Sequence, residues 1–201
     1  ELNMRLTGRK SFITGAAKGI GLSVARAFAA EGAAVALADI SEEESKKQSL
    51  EIKESYGVDA IGVKCDVGDT ISVQNAIKET SEAFNGLDTI ACMAATLTER
   101  LDVVDLPEDE WNRTLNVNLT GSFLVCKHGI PFLREAGGGS IILTASQMGQ
   151  VAWPGSTAYC TTKGGILQLV KGIALDHKDE NIRCNSICLL YTSDAADDRG
   201  C

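Results

Sequence analysis

The chain has 201 residues, 44% hydrophobic and 23% charged, with a formal net charge of −8. That apolar content excludes a disordered chain, and the length excludes a small disulfide-stapled scaffold. The acidic balance argues against non-specific nucleic-acid binding, which needs Lys and Arg set against phosphates, and the apolar runs are too short and interrupted for a membrane span.

One domain is expected. No basic region followed by an apolar core opens the sequence, so a cytoplasmic protein without a membrane segment is expected. Glu1–Asn3 are expected to precede a start at Met4. The 7 cysteines form no C-x-x-C pair and only 2 histidines accompany them, which points away from a zinc site and toward reduced, mostly buried thiols.

Short β-rich runs alternate with helical patterns. Ser11–Thr14 reads as a strand. Gly19–Glu31 reads as a helix with Ile20, Val24, Ala27 and Phe28 on one face. Ala34–Ala38 is a second strand, and Ser41 can cap a charged helix running to about Tyr56. Ala60–Lys64 is a third strand, followed by a helix over Thr70–Phe84. Asp88–Met93 is the fourth strand, and Asp109 to about His128 one long helix. Ser140–Ala145, Thr157–Asp176 and Ile182–Ile187 complete the order as strand, helix and strand. Strand–helix alternation implies an α/β fold, a Rossmann-like doubly wound parallel sheet with helices on both faces. The near-continuous apolar strands suit a sheet buried on both sides.

Thr14-Gly15-Ala16-Ala17-Lys18-Gly19-Ile20-Gly21 joins the first strand to the first helix. Glycines there allow a tight turn and a close approach of backbone N–H groups to a pyrophosphate, and the helix start adds its positive dipole end. Its spacing is neither the G-x-G-x-x-G of other dinucleotide folds nor a P-loop. Asp39 ends the second strand, where an acid can accept from a ribose 2′-hydroxyl and repel a 2′-phosphate. NAD is therefore favoured over NADP, with Lys18 in the turn pulling the other way.

Tyr159 and Lys163 lie one helical turn apart. A free phenol titrates near 10, and lowering it by about three units takes roughly 4 kcal/mol, which a neighbouring ammonium helps to supply. Ser146 falls at the carboxyl end of the fifth strand, where sites in open parallel sheets lie.

The glycine turn, Asp39, Ser146, Tyr159 and Lys163, in this order, resemble the short-chain dehydrogenase/reductase family from about Leu6 to Cys188. The resemblance implies a hydride-transferring oxidoreductase on NAD(H) and a secondary alcohol or ketone, with Asn118, Ser146, Tyr159 and Lys163 as its catalytic set. It implies cofactor contacts from Gly15, Lys18, Gly19, Ile20, Gly21, Asp39, Asp66, Val67, Ala94, Tyr159 and Lys163. By the same resemblance Asn118 holds a relay water and Asp66 takes the adenine amino group. Substrate contacts would come from Ser146, Gln147, Trp153 and Tyr159, with a homotetramer or homodimer for the full-length protein. A methyltransferase on a similar sheet would leave Tyr159 and Lys163 unexplained.

Two departures stand out. Cys92-Met93-Ala94-Ala95 replaces the family's Asn-Asn-Ala-Gly, so the tie between neighbouring strands is expected to weaken at Cys92. From Leu189 the sequence leaves the family pattern of a Pro-Gly turn, a lid and a seventh strand. The family domain is therefore expected over 4–188, with 189–201 a non-native or disordered tail. The alternative for a chain lacking that region is a catalytically impaired NAD-binding fragment or scaffold.

Overall fold

Six strands align in parallel: β1 (Lys10–Thr14), β2 (Ala34–Asp39), β3 (Ala60–Lys64), β4 (Thr89–Cys92), β5 (Gly139–Ser146) and β6 (Ile182–Leu189). The computed structural model describes residues 4–189. The expectations for the tail beyond Leu189 and for Glu1–Asn3 lie outside the described residues. The strands run in the order β3-β2-β1-β4-β5-β6. The order reverses between β1 and β4, and a crevice outside the carboxyl ends of such a pair is where this architecture seats ligands.

Alternate residues of each strand point to opposite faces. Ile13, Val35, Leu37 and Ala91 pack under α1 (Gly19–Ala30) and α2 (Glu42–Tyr56). Phe12, Ala36, Ile90 and Leu143 pack on the other face, under α3 (Thr70–Phe84), α5 (Gly121–Glu135) and α6 (Thr157–Asp176). The result is three layers, with β1, β2 and β4 buried almost throughout as their apolar runs imply. β6 differs: it lies at the sheet edge and alternates buried Ile182 and Cys184 with exposed Arg183 and Asn185. No helix of the described residues is long and apolar enough to cross a membrane.

Three local expectations are corrected. The buried stripe of α1 is Gly21, Ala25 and Ala29, whose small side chains let the helix lie close on the sheet, while Ile20 is 58% exposed. Ser41 occupies the first position before α2 without a side-chain cap; its backbone N–H instead donates to Asp39 Oδ1 at 3.0 Å. The expected helix over Asp109–His128 is three pieces: α4 (Glu108–Leu115), a π-helical turn at Asn116–Thr120, and α5, which runs on to Glu135. Such a turn holds an extra residue and commonly marks a functional position. Here it carries Asn118, 1% exposed, into the interior.

Candidate active site

The glycine turn follows β1 and opens α1. Gly15 has a φ of +64°, and a Cβ on it would lie 2.8 Å from Ala94 Cα. A Cβ on Gly21 would lie 2.2 Å from the Gly15 carbonyl oxygen. Only glycine fits at either place, so the turn closes against both the chain leaving β4 and its own helix. No side chain caps α1, whose first N–H groups lack intrahelical partners by the geometry of any helix start. Lys18, Gly19 and Ile20 are exposed at this end, and a Cβ on Gly19 would meet open space. These features fit a dinucleotide pyrophosphate.

Asp39 ends β2 beside the turn. Its Oδ2 accepts from Ala17 N–H at 3.1 Å and its Oδ1 from Ser41 N–H. The carboxylate therefore braces the turn and the start of α2 while remaining half-buried. Asp66 follows β3; its Oδ1 accepts from Gly68 N–H at 2.9 Å, and its own backbone N–H donates to Ser72 Oγ at 2.9 Å. Val67 is buried, against Gly121 of α5.

Ala94 sits where β4 ends, beside Cys92, which stands where the family has an Asn. Thr14 Oγ1 accepts from both Met93 and Ala94 N–H groups at 3.1 Å, so β1 and the chain leaving β4 are joined from the β1 side. Cys92 is instead buried beside Cys126, whose hydrogen bond with it, and then burial, push the Cys126 thiol up. Burial pushes the Cys65 and Cys184 thiols up to about 12. Cys160 is half-buried and Cys188 exposed, and the seventh cysteine lies outside the described residues.

Ser146 ends β5 and is 7% exposed; its Oγ accepts from Met148 N–H at 3.2 Å and makes a long contact to the Leu189 carbonyl at 3.5 Å. Tyr159 and Lys163 are carried by α6, with the Lys163 ammonium 5.5 Å from the centre of the Tyr159 ring. Lys163 is 2% exposed and donates to the Thr144 carbonyl at 2.6 Å, which ties α6 to β5 two residues short of Ser146. Among the described residues no carboxylate pairs with it. Burial pushes its ammonium down from 10.5 to about 8, with Cys92 acting in the opposite sense.

Asn118 spends its side chain on protein partners. Its Oδ1 accepts from Thr96 N–H at 2.7 Å, and its Nδ2 donates to Thr96 O at 2.9 Å and Thr162 Oγ1 at 3.4 Å. Gln147 opens a short 3₁₀ turn and is exposed. Trp153 is 51% exposed, with the Arg100 guanidinium 5.8 Å from its ring centre. Thr14, Thr96 and the Thr144 carbonyl shape the site without any signal in the sequence, because each contact pairs a side chain with a backbone group distant in the chain.

A family model described as Enoyl-(Acyl carrier protein) reductase matches residues 15–199. The chain is 38% identical over 183 residues to a 2,5-dichloro-2,5-cyclohexadiene-1,4-diol dehydrogenase of Sphingobium indicum, a match spanning 91% of this chain and 72% of that protein. It is also 38% identical, over 188 residues, to a trans-4-hydroxycyclohexanecarboxylate dehydrogenase of Sinomonas cyclohexanicum, with 91% of this chain and 72% of that protein covered. Its structure overlays that of an NAD+-bound xylitol dehydrogenase with a TM-score of 0.88 at 34% identity, over 92% of this chain and 70% of the other. The doubly wound sheet with a glycine turn at its switch point, together with the dehydrogenases it matches, marks the chain as an oxidoreductase. The chain belongs to the short-chain dehydrogenase/reductase family.

Proposed function

We propose that the chain transfers a hydride between NAD(H) and a secondary alcohol or ketone through Tyr159, Lys163 and Ser146. The observation that carries this reading is the buried Lys163 ammonium, without a carboxylate partner among the described residues, 5.5 Å from the Tyr159 ring. A buried cation without a counter-charge is costly even when hydrogen-bonded, and such groups cluster at functional sites.

Bound nicotinamide supplies the hydride acceptor in oxidation and the donor in reduction. Gly15, Gly19 and Gly21 hold the pyrophosphate by leaving backbone N–H groups and space at the start of α1. Asp39 meets the adenosine ribose and disfavours a 2′-phosphate, although Lys18 follows Ala17, whose N–H donates to that carboxylate. Asp66 and Val67 border the adenine, and Ile20 and Ala94 the nicotinamide side.

In oxidation Tyr159 takes the proton of the alcohol; in reduction it returns one to the carbonyl oxygen. The Lys163 ammonium favours the phenolate form that the oxidation requires. The Ser146 proton faces only a long contact at 3.5 Å, so it is available to the substrate oxygen, where it stabilises developing charge. Asn118 serves by fixing Thr96, and thereby the chain that leaves β4. Gln147 and Trp153 border the substrate. The named substrates of the two relatives, a cyclic diol and a ring-borne alcohol, support an alcohol for this chain too.

The test is absorbance of reduced nicotinamide with a panel of secondary alcohols, with NAD and NADP compared. Turnover with NAD above NADP supports the reading; binding of NAD without turnover on any alcohol leaves only a cofactor-binding scaffold.

A further inference from the structure

The backbone from Met93 to Leu97 leaves β4 beside the glycine turn and is held by three side chains. Thr14 takes the N–H groups of Met93 and Ala94, and Asn118 takes both the N–H and the carbonyl of Thr96. Arg113 of α4 supplies the third hold. Its Nη1 donates to Thr96 Oγ1 and its Nη2 to the Leu97 carbonyl at 3.3 Å. Its Nε and Nη2 are oriented by Glu110, at 3.0 Å and 2.7 Å.

What lies beyond this hold faces the site. Leu101 bridges in parallel to Ser156, the residue before α6, the helix that carries Tyr159. Arg100 lies over Trp153. A shift at Thr96–Leu97 would therefore reach both segments that border the substrate side.

We propose that Arg113 is a positioning residue, fixing the chain after β4 so that the mouth of the site between Leu101 and Ser156 keeps its shape. This deepens the proposed function and rests on it for its kinetic consequence. The pair with Glu110 is surface-exposed, at 46% and 36%, so its contribution to global stability is small. Its value is geometric. A guanidinium serves Glu110, Thr96 and Leu97 together through its planar fork, which a lysine ammonium cannot reproduce.

The experiment compares wild type with Arg113→Ala and Arg113→Lys by amide hydrogen exchange and by steady-state kinetics. The kinetic probes are NAD with xylitol, D-threitol and trans-4-hydroxycyclohexanecarboxylate. In both variants exchange at Thr96 is expected to quicken by on the order of tenfold while the melting temperature stays within about 2 °C. kcat/KM is expected to fall by on the order of tenfold or more, with the affinity for NAD unchanged. Unchanged exchange at Thr96, or an Arg113→Lys variant equal to wild type in exchange and kcat/KM, overturns the proposal. A wild-type chain that turns over none of the probes counts against the proposed reaction instead, and the exchange result then decides the role of Arg113 alone.

Discussion

Replacing Lys163 by Met removes a buried ammonium while keeping an unbranched side chain of similar reach. A fall from 10.5 to about 8 corresponds to on the order of 3 kcal/mol. The unfolded lysine keeps its proton up to 10.5, whereas the folded one releases it from about 8. Between those values the unfolded state binds more protons, so this group makes wild-type stability rise with pH. Below that window both states hold the proton and the full penalty is present. Lys163→Met has no such proton, and titrations shared by the two chains cancel in their difference. Urea unfolding of both at pH 7, 8.5 and 9.5 measures it. Wild type should gain about 2 kcal/mol on the variant between pH 7 and 9.5. A difference that stays constant, or moves the other way, would refute a buried ammonium without a carboxylate partner.

Three further outcomes follow from the same contacts. Thr14→Val keeps the volume but strips the acceptor from the Met93 and Ala94 N–H groups, and should cost about 2 kcal/mol in urea unfolding. A loss near zero would mean that water replaces the hydroxyl. Gly21→Ala puts a Cβ against the Gly15 carbonyl and should weaken NADH binding, followed by fluorescence, at least about tenfold. Unaltered binding would place the cofactor elsewhere. Asp39→Ala should move the NADP-to-NAD ratio of kcat/KM toward NADP by about tenfold or more, since a like charge beside the 2′-phosphate is removed. The same variant frees the Ala17 and Ser41 N–H groups, so some loss with NAD itself is expected.

The strand–helix alternation was legible because each buried strand is an apolar run and each helix carries its own period. The stripe of α1 was not, because Gly21, Ala25 and Ala29 are small and weigh little in a hydrophobic pattern. The break at Asn116–Thr120 left no mark either. It sets Asn118 against the Thr96 backbone, a tertiary contact that has no counterpart in local periodicity. The glycine turn, Asp39, Ser146, Tyr159 and Lys163 could be singled out because residue type and spacing carry their chemistry. The contacts of Thr14 with the Met93 N–H and of Arg113 with the Leu97 carbonyl join residues far apart in the chain through backbone groups, which leave no pattern in the sequence. Lys163 was expected among the cofactor contacts; its hydrogen bond to Thr144 emerges only once α6 is laid against β5.

Turnover by Tyr159→Phe, followed by reduced-nicotinamide absorbance on whichever alcohol wild type oxidises fastest, tests the central claim most directly. The phenyl ring keeps the packing and removes only the hydroxyl. The account predicts a fall in kcat of on the order of 10³-fold, with NAD affinity within a few-fold of wild type. Turnover equal to wild type would contradict it.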